Sequence, residues 1–147
     1  MEISFNDEDF QRKMKNIVNN AMPEAVEKGL GVAVLQLLND CIMEVPTVPI
    51  KEGWLRGSGS AFVQNKLVAI SKHGKPGKAN QDHSEHISYG NYVGVVGFNV
   101  PYASRLHEGI DMNFTDPSSG AKYLESKLIR NKDTYFKIIA NRIKESQ

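Results

Sequence analysis

The sequence of 147 residues lacks most of what would announce a chemistry or a compartment. It has one cysteine, Cys41, set inside an apolar run. A lone cysteine cannot form an internal disulfide, which excludes a secreted disulfide scaffold. We expect Cys41 to be a small buried hydrophobe. No long apolar run is present. The longest, Leu30 to Leu38, is too short to span a bilayer and is broken by Gly31 and Gln36. The opening residues show no basic region followed by an apolar core, so no signal peptide is expected and the chain should be made in a reducing cytoplasm. Surplus charge is missing too. A net charge of +1 excludes a general polycation for coating nucleic acid. Internal repeats and low-complexity tracts are also absent.

What the chain does have is the length for one domain with a real core, and an uneven spread of charge. Residues 1–44 hold four basic and eight acidic residues, a net of −4. Residues 122–147 hold seven basic and three acidic, a net of +4. The plain reading is two solvated helix faces. The sharper one is that the acidic end of one subunit meets the basic end of the next, which would fix register and steer assembly.

The periodicity predicts an α+β fold in a single domain, residues 1–147. N-terminal helices and a long C-terminal helix should pack on a small, mostly antiparallel sheet with a long polar loop between strands. A first helix begins at Asn6 or Asp7, with Phe10, Met14, Ile17, Val18 and Ala21 at helical spacing, and ends near Pro23. A second runs from about Pro23 to Glu44. Its section Val32-Ala33-Val34-Leu35 is apolar on more than one side, as in a helix buried on two faces, in the core or between subunits. Pro46 and Pro49 force an extended segment. Gly57-Ser58-Gly59-Ser60 then permits a bend into two strands, Ala61–Val63 and Leu67–Ile70, around a turn at 64–66. Residues 71–88 read as a long exposed loop that stays flexible until a neighbour or DNA orders it. Tyr89–Val100 is the next strand, where Gly90, Gly94 and Gly97 suggest bulges. A proline-started helical turn, Tyr102 to Glu108, stops at Gly109. The last helix starts near Ser118 or Ser119 and runs to about Lys144, with Leu124, Leu128, Tyr135, Ile139 and Ile143 on one stripe.

Candidate chemistry is sparse. His73, His83 and His86 sit in the polar loop with nothing to hold them as metal ligands, so no metal or other cofactor is expected. His107-Glu108 could be an acid–base pair in a small hydrolase. But neighbours on a helix point apart, and no nucleophile at a defined spacing accompanies them. A structural role fits better, with Glu108 in an ion pair and His107 lining an interface. The glycine-rich Gly53–Gly59 stretch lacks the lysine and hydroxyl of a phosphate loop. Trp54 reads as a packing anchor, or as a contact hot spot. Lys72, Lys75 and Lys78 give the loop a weak nucleic-acid signal.

Two motif blocks stand out for order and spacing. The first is Pro46 and Pro49 followed by Gly53-Trp54-Leu55-Arg56-Gly57-Ser58. The second is Tyr102-Ala103, then Leu106-His107-Glu108-Gly109, then Lys122-Tyr123-Leu124-Glu125. Together they resemble the neck or tail-completion proteins of tailed bacteriophages, the gene-ten-like family of head–tail joining proteins, over roughly residues 24–145. The chain departs from that family at Lys51-Glu52-Gly53, where Asp-Thr-Gly is usual, and in a longer loop at 71–88. The resemblance implies a structural virion protein with no enzymatic activity. It would form a homo-oligomeric ring in the phage neck, after synthesis in the bacterial cytoplasm. Its partners would be copies of itself, a head-side connector or head-closure protein, and a tail terminator or tail tube protein. Genome DNA would pass through the ring without sequence-specific binding, and no membrane would be involved. A tail terminator or head-closure protein of the same neck is the alternative within that reading. The motif residues named here are the candidate assembly residues.

Overall fold

The computed structural model describes residues 2–4, 8, 12, 23–49, 53–64, 66–71, 93–98, 102–110, 112, 114 and 117–145. The first predicted helix, the polar loop with its three histidines, and its lysines lie outside the described residues, apart from Glu8 and Arg12, both helical, and Ser71.

The chain is α+β. In order, the elements are β1 (Glu2–Ser4), α1 (Pro23–Met43), α2 (Trp54–Gly57), β2 (Gly59–Val63), β3 (Lys66–Ile70), β4 (Gly94–Phe98), α3 (Ala103–Glu108) and α4 (Glu125–Glu145). The strands form one sheet in the order β1-β4-β2-β3, antiparallel throughout. Helix α1 packs along α4 on one side and on the sheet on the other. No helix among the described residues is long and apolar enough to cross a membrane.

Strand alternation sets the core. Ala61, Val63, Val96 and Phe98 face the helices and join Leu30, Val34, Leu37, Leu38 and Cys41 from α1 and Tyr135, Ile139 and Ile143 from α4. Phe62, Val93 and Val95 point the other way and form a separate small cluster. Helix and sheet approach closely at Gly94, where an added Cβ would lie 2.6 Å from Val34 Cγ1. Gly94 therefore serves close packing and not the bulge expected of it. The register irregularity lies instead between Ala61 and Phe62, in the β2–β3 pair. Within β2, the hydroxyl of Ser60 is buried and has no hydrogen-bond partner among the described residues.

Several boundaries differ from the sequence reading. The glycine-rich segment does not bend straight into a strand. Gly53 adopts φ 88°, in the left-handed region, and launches the helical turn α2 before β2 begins at Gly59. Strand β4 falls inside the predicted Tyr89–Val100, of which residues 89–92, 99 and 100 lie outside the described residues. Helix α3 ends at Glu108 as expected, but Gly109 follows at φ −80°, so no left-handed cap stops it. Helix α4 starts six or seven residues late, at Glu125. Residues 118–120 bond to Thr47, and Lys122 sits at φ 58°, which is incompatible with a helix. On α1, Ala33 and Val34 are buried, while Val32 and Leu35 remain exposed. The helix is thus covered by α4 and by the sheet, while a stripe with Val32 and Leu35 stays exposed among the described residues.

Candidate functional site

The two motif blocks, far apart in sequence, meet in one bonded joint. Its centre is His107, fully buried at the end of α3. The Nδ1 of His107 lies 3.0 Å from Glu108 Oε1, and its Nε2 accepts the backbone N–H of Glu125 at 3.2 Å. These partners assign the neutral Nδ1–H tautomer. The first amide of α4 has no partner within its own helix, so the imidazole caps it. Burial lowers the His107 pKa, against the opposing pull of Glu108. The expectation that His107 and Glu108 point apart is corrected. They lie at the last turn of a short helix, where the Glu108 side chain turns back to the ring. His107 also does not line an outer surface, because it is enclosed by its own chain.

Lys122 completes this part. Its ammonium donates to Glu108 and reaches Glu125 Oε2 at 3.2 Å, while its backbone N–H donates to the His107 carbonyl at 2.7 Å. The hydrogen bond from Lys122 holds the Glu108 pKa below the ordinary carboxylate range, and Glu108 in turn raises that of Lys122. Tyr123 packs edge-on against His107, with centroids 4.9 Å apart, and against Phe98 at 5.7 Å. Its hydroxyl donates to the Ala103 carbonyl at 2.9 Å. Leu124 is buried beside it, Leu106 packs on the same core, and Tyr102 lies exposed at the start of α3.

The proline-bearing segment is held from three sides. Arg56 donates through Nε to the Val48 carbonyl at 2.7 Å and through Nη2 to Thr47 Oγ1 at 3.2 Å. Thr47 pairs with Ser119 in a parallel bridge, and its N–H donates to the Ser118 carbonyl. From α4, the Lys127 ammonium donates to the carbonyl of Pro46, which follows a cis peptide bond, and to that of Tyr123 at 2.7 Å. Lys127 is fully buried, and burial lowers its pKa. Ser58 donates to the Leu55 carbonyl and closes α2, and Leu55 and Pro49 are buried. A third group adjoins this clamp. Tyr135 donates to Asp40 Oδ2 at 2.7 Å, Gln36 donates to Asp40 Oδ1 at 2.8 Å, and Asn131 donates to Glu44 at 3.0 Å.

Sequence reasoning missed Lys127, Asp40, Thr47 and Asn131. Lys127 carried a signal. It falls three residues after Leu124, inside the apolar stripe of α4, where a charge needs a buried acceptor.

Chemically, the joint ties one segment of the chain to another. The polar atoms of His107 and the carboxylate of Glu108 are engaged with Lys122 and Glu125. Cys41 is buried, and burial pushes its thiol pKa well up, away from a reactive thiolate. Among the described residues, no three His, Cys, Asp or Glu side chains are grouped so as to hold a metal ion.

A separate surface feature lies on the opposite side of α1. The outward residues Val32 and Leu35 and strand β3 flank an open groove of about 610 Å³, with Lys28, Lys66, Arg142, Glu24 and Glu27 on its rim. Compared with family models, curated proteins and solved structures, the chain matches none.

Proposed function

We propose that this chain is a structural protein of a tailed-phage virion, one copy of a ring in the neck that joins head to tail around the DNA channel. The observation that carries the reading is the use made of the motif residues. Those that bear the resemblance spend their polar groups on one another and on backbone carbonyls, and so fix the loops at one end of the fold. A rigid scaffold with shaped loops suits a part that assembles. Burial of His107 within that joint weighs against a hydrolase built on His107 and Glu108, since a general base must reach a substrate proton.

In this reading the partners are copies of the same chain, a head-side connector or closure protein, and a tail terminator or tube protein. Genome DNA passes through without sequence being read. The test is electron microscopy of the purified protein and of virions. The expected result is a closed ring, located in the neck. A subunit that stays monomeric at high concentration and is missing from virions overturns the proposal.

A further inference from the structure

Among the described residues, the sheet has two open edges, β1 at one side and β3 at the other. Edge strands are normally guarded by charge, proline, a bulge or a covering element. Strand β3 carries one such guard, a bulge at Val68, which is skipped where its pairing with β2 passes from Ala61–Ala69 to Phe62–Leu67. It has no proline, and its one charge, Lys66, stands at its first position. Leu67, Val68 and Ile70 are 46%, 43% and 55% exposed, so apolar side chains stand out on both of its faces. Beside it runs the open groove lined in part by Val32 and Leu35.

Direction and charge select the occupant. Strands β1 and β2 run one way and β4 and β3 the other, because every neighbouring pair is antiparallel. A β1 from a second copy laid on β3 continues this alternation. The segment carrying β1 is acidic, with Glu2, Asp7, Glu8 and Asp9 and no basic residue in the first nine positions. The groove beside β3 is lined by Lys28, Lys66 and Arg142 against Glu24 and Glu27, with Arg142 also paired to Glu145 at 3.8 Å. Pairing β3 with a second β3 would also be antiparallel, but it would close at two copies. A head-to-tail contact is heterologous and closes into a ring when the rotation per subunit allows it.

We infer that neighbouring copies join by strand addition, β3 of one subunit pairing antiparallel with β1 of the next. This rests on the ring reading above. The contact gains affinity from backbone hydrogen bonds and register from charge.

The test uses the full chain carrying Ile3→Cys together with Leu67→Cys, Val68→Cys or Ile70→Cys, treated with a short bis-maleimide under conditions where wild type forms rings. The expected result is a ladder of covalent oligomers up to the ring size for at least one pair, and no product from the single variants. Buried Cys41 gives no background. A dimer from Val68→Cys alone, with nothing larger, shows β3–β3 pairing and overturns the inference. Rings seen by microscopy with no ladder from any pair overturn it and leave the ring reading standing. Absence of rings in wild type removes both. As a second measurement, Val68→Asp should raise the concentration needed for assembly about tenfold or more, with an unchanged melting temperature. Assembly at the wild-type concentration counts against strand addition.

Discussion

The ammonium of Lys127, fully enclosed, donates to the carbonyl of Pro46 across 81 residues of sequence. It ties the first turns of α4 to the segment that leaves α1, and it also satisfies the Tyr123 carbonyl. Removing a buried charge is sometimes neutral. Here the acceptors are backbone carbonyls that stay behind. Lys127→Met should therefore cost about 2–4 kcal/mol, the penalty for stranding buried acceptors. Urea unfolding at pH 7 reads the change directly. A variant as stable as wild type would show that the carbonyls find other donors.

His107 gives the fold a pH dependence of known sign. Its folded pKa lies below the ordinary 6.5, chiefly through burial. The unfolded chain therefore binds the extra proton first, and stability falls as pH drops below about 6.5. Its contribution is complete above that value. Protonation would set an N–H of the ring against the N–H of Glu125. His107→Gln keeps an acceptor for that amide and does not titrate. Denaturation series from pH 7.5 to 5 should show a steeper loss in wild type than in the variant. Glu108 acts lower. Its contribution is present above about 4.5 and fades as pH falls beneath it, because Lys122 depresses its pKa.

Gly94 and Val34 should be coupled. A Cβ at position 94 would meet Val34 Cγ1 at 2.6 Å and Leu30 Cδ1 at 3.1 Å, so Gly94→Ala should cost about 1–3 kcal/mol by overpacking. Val34→Ala opens room for that methyl group. The double variant should then be more stable than the sum of the single effects predicts, with a coupling of about 0.5–3 kcal/mol. Simple additivity in thermal unfolding would place the strain elsewhere.

Leu124, just before α4, and Leu128, in its first turn, separate core from margin. Leu124 is fully buried, whereas Leu128 packs half-buried against the core. Leu124→Asp buries an uncompensated charge, a cost on the order of the whole stability of a small domain. It should leave no cooperative transition by circular dichroism. Leu128→Asp should fold with a lowered melting temperature.

The long elements were legible in the sequence because apolar spacing and proline placement dictate them. Helix α1 lies within a residue of its expected ends, the β2–β3 hairpin is where the turn residues put it, and the apolar stripe of α4 is the buried one for Leu124, Tyr135, Ile139 and Ile143. The start of α4 was not legible. Nothing local forbids a helix from Ser118 onward; the bonds to Thr47 and the left-handed Lys122 do, and these are tertiary. The same holds for the candidate joint. Its residues stood out as motifs, yet their roles came from contacts over long separations: His107 with Glu125, Arg56 with Thr47, Lys127 with Pro46. A neighbour rule for helices argued against the His107–Glu108 contact, and it fails at a helix end.

One hydroxyl gives nothing back. The Ser60 side chain is buried in the middle of β2 with no hydrogen-bond partner among the described residues. Its dehydration is a standing cost, and Ala in its place fits the same space without that cost. Position 60 is thus a site where removing a single oxygen should make the domain more heat-resistant, leaving its outer contours untouched.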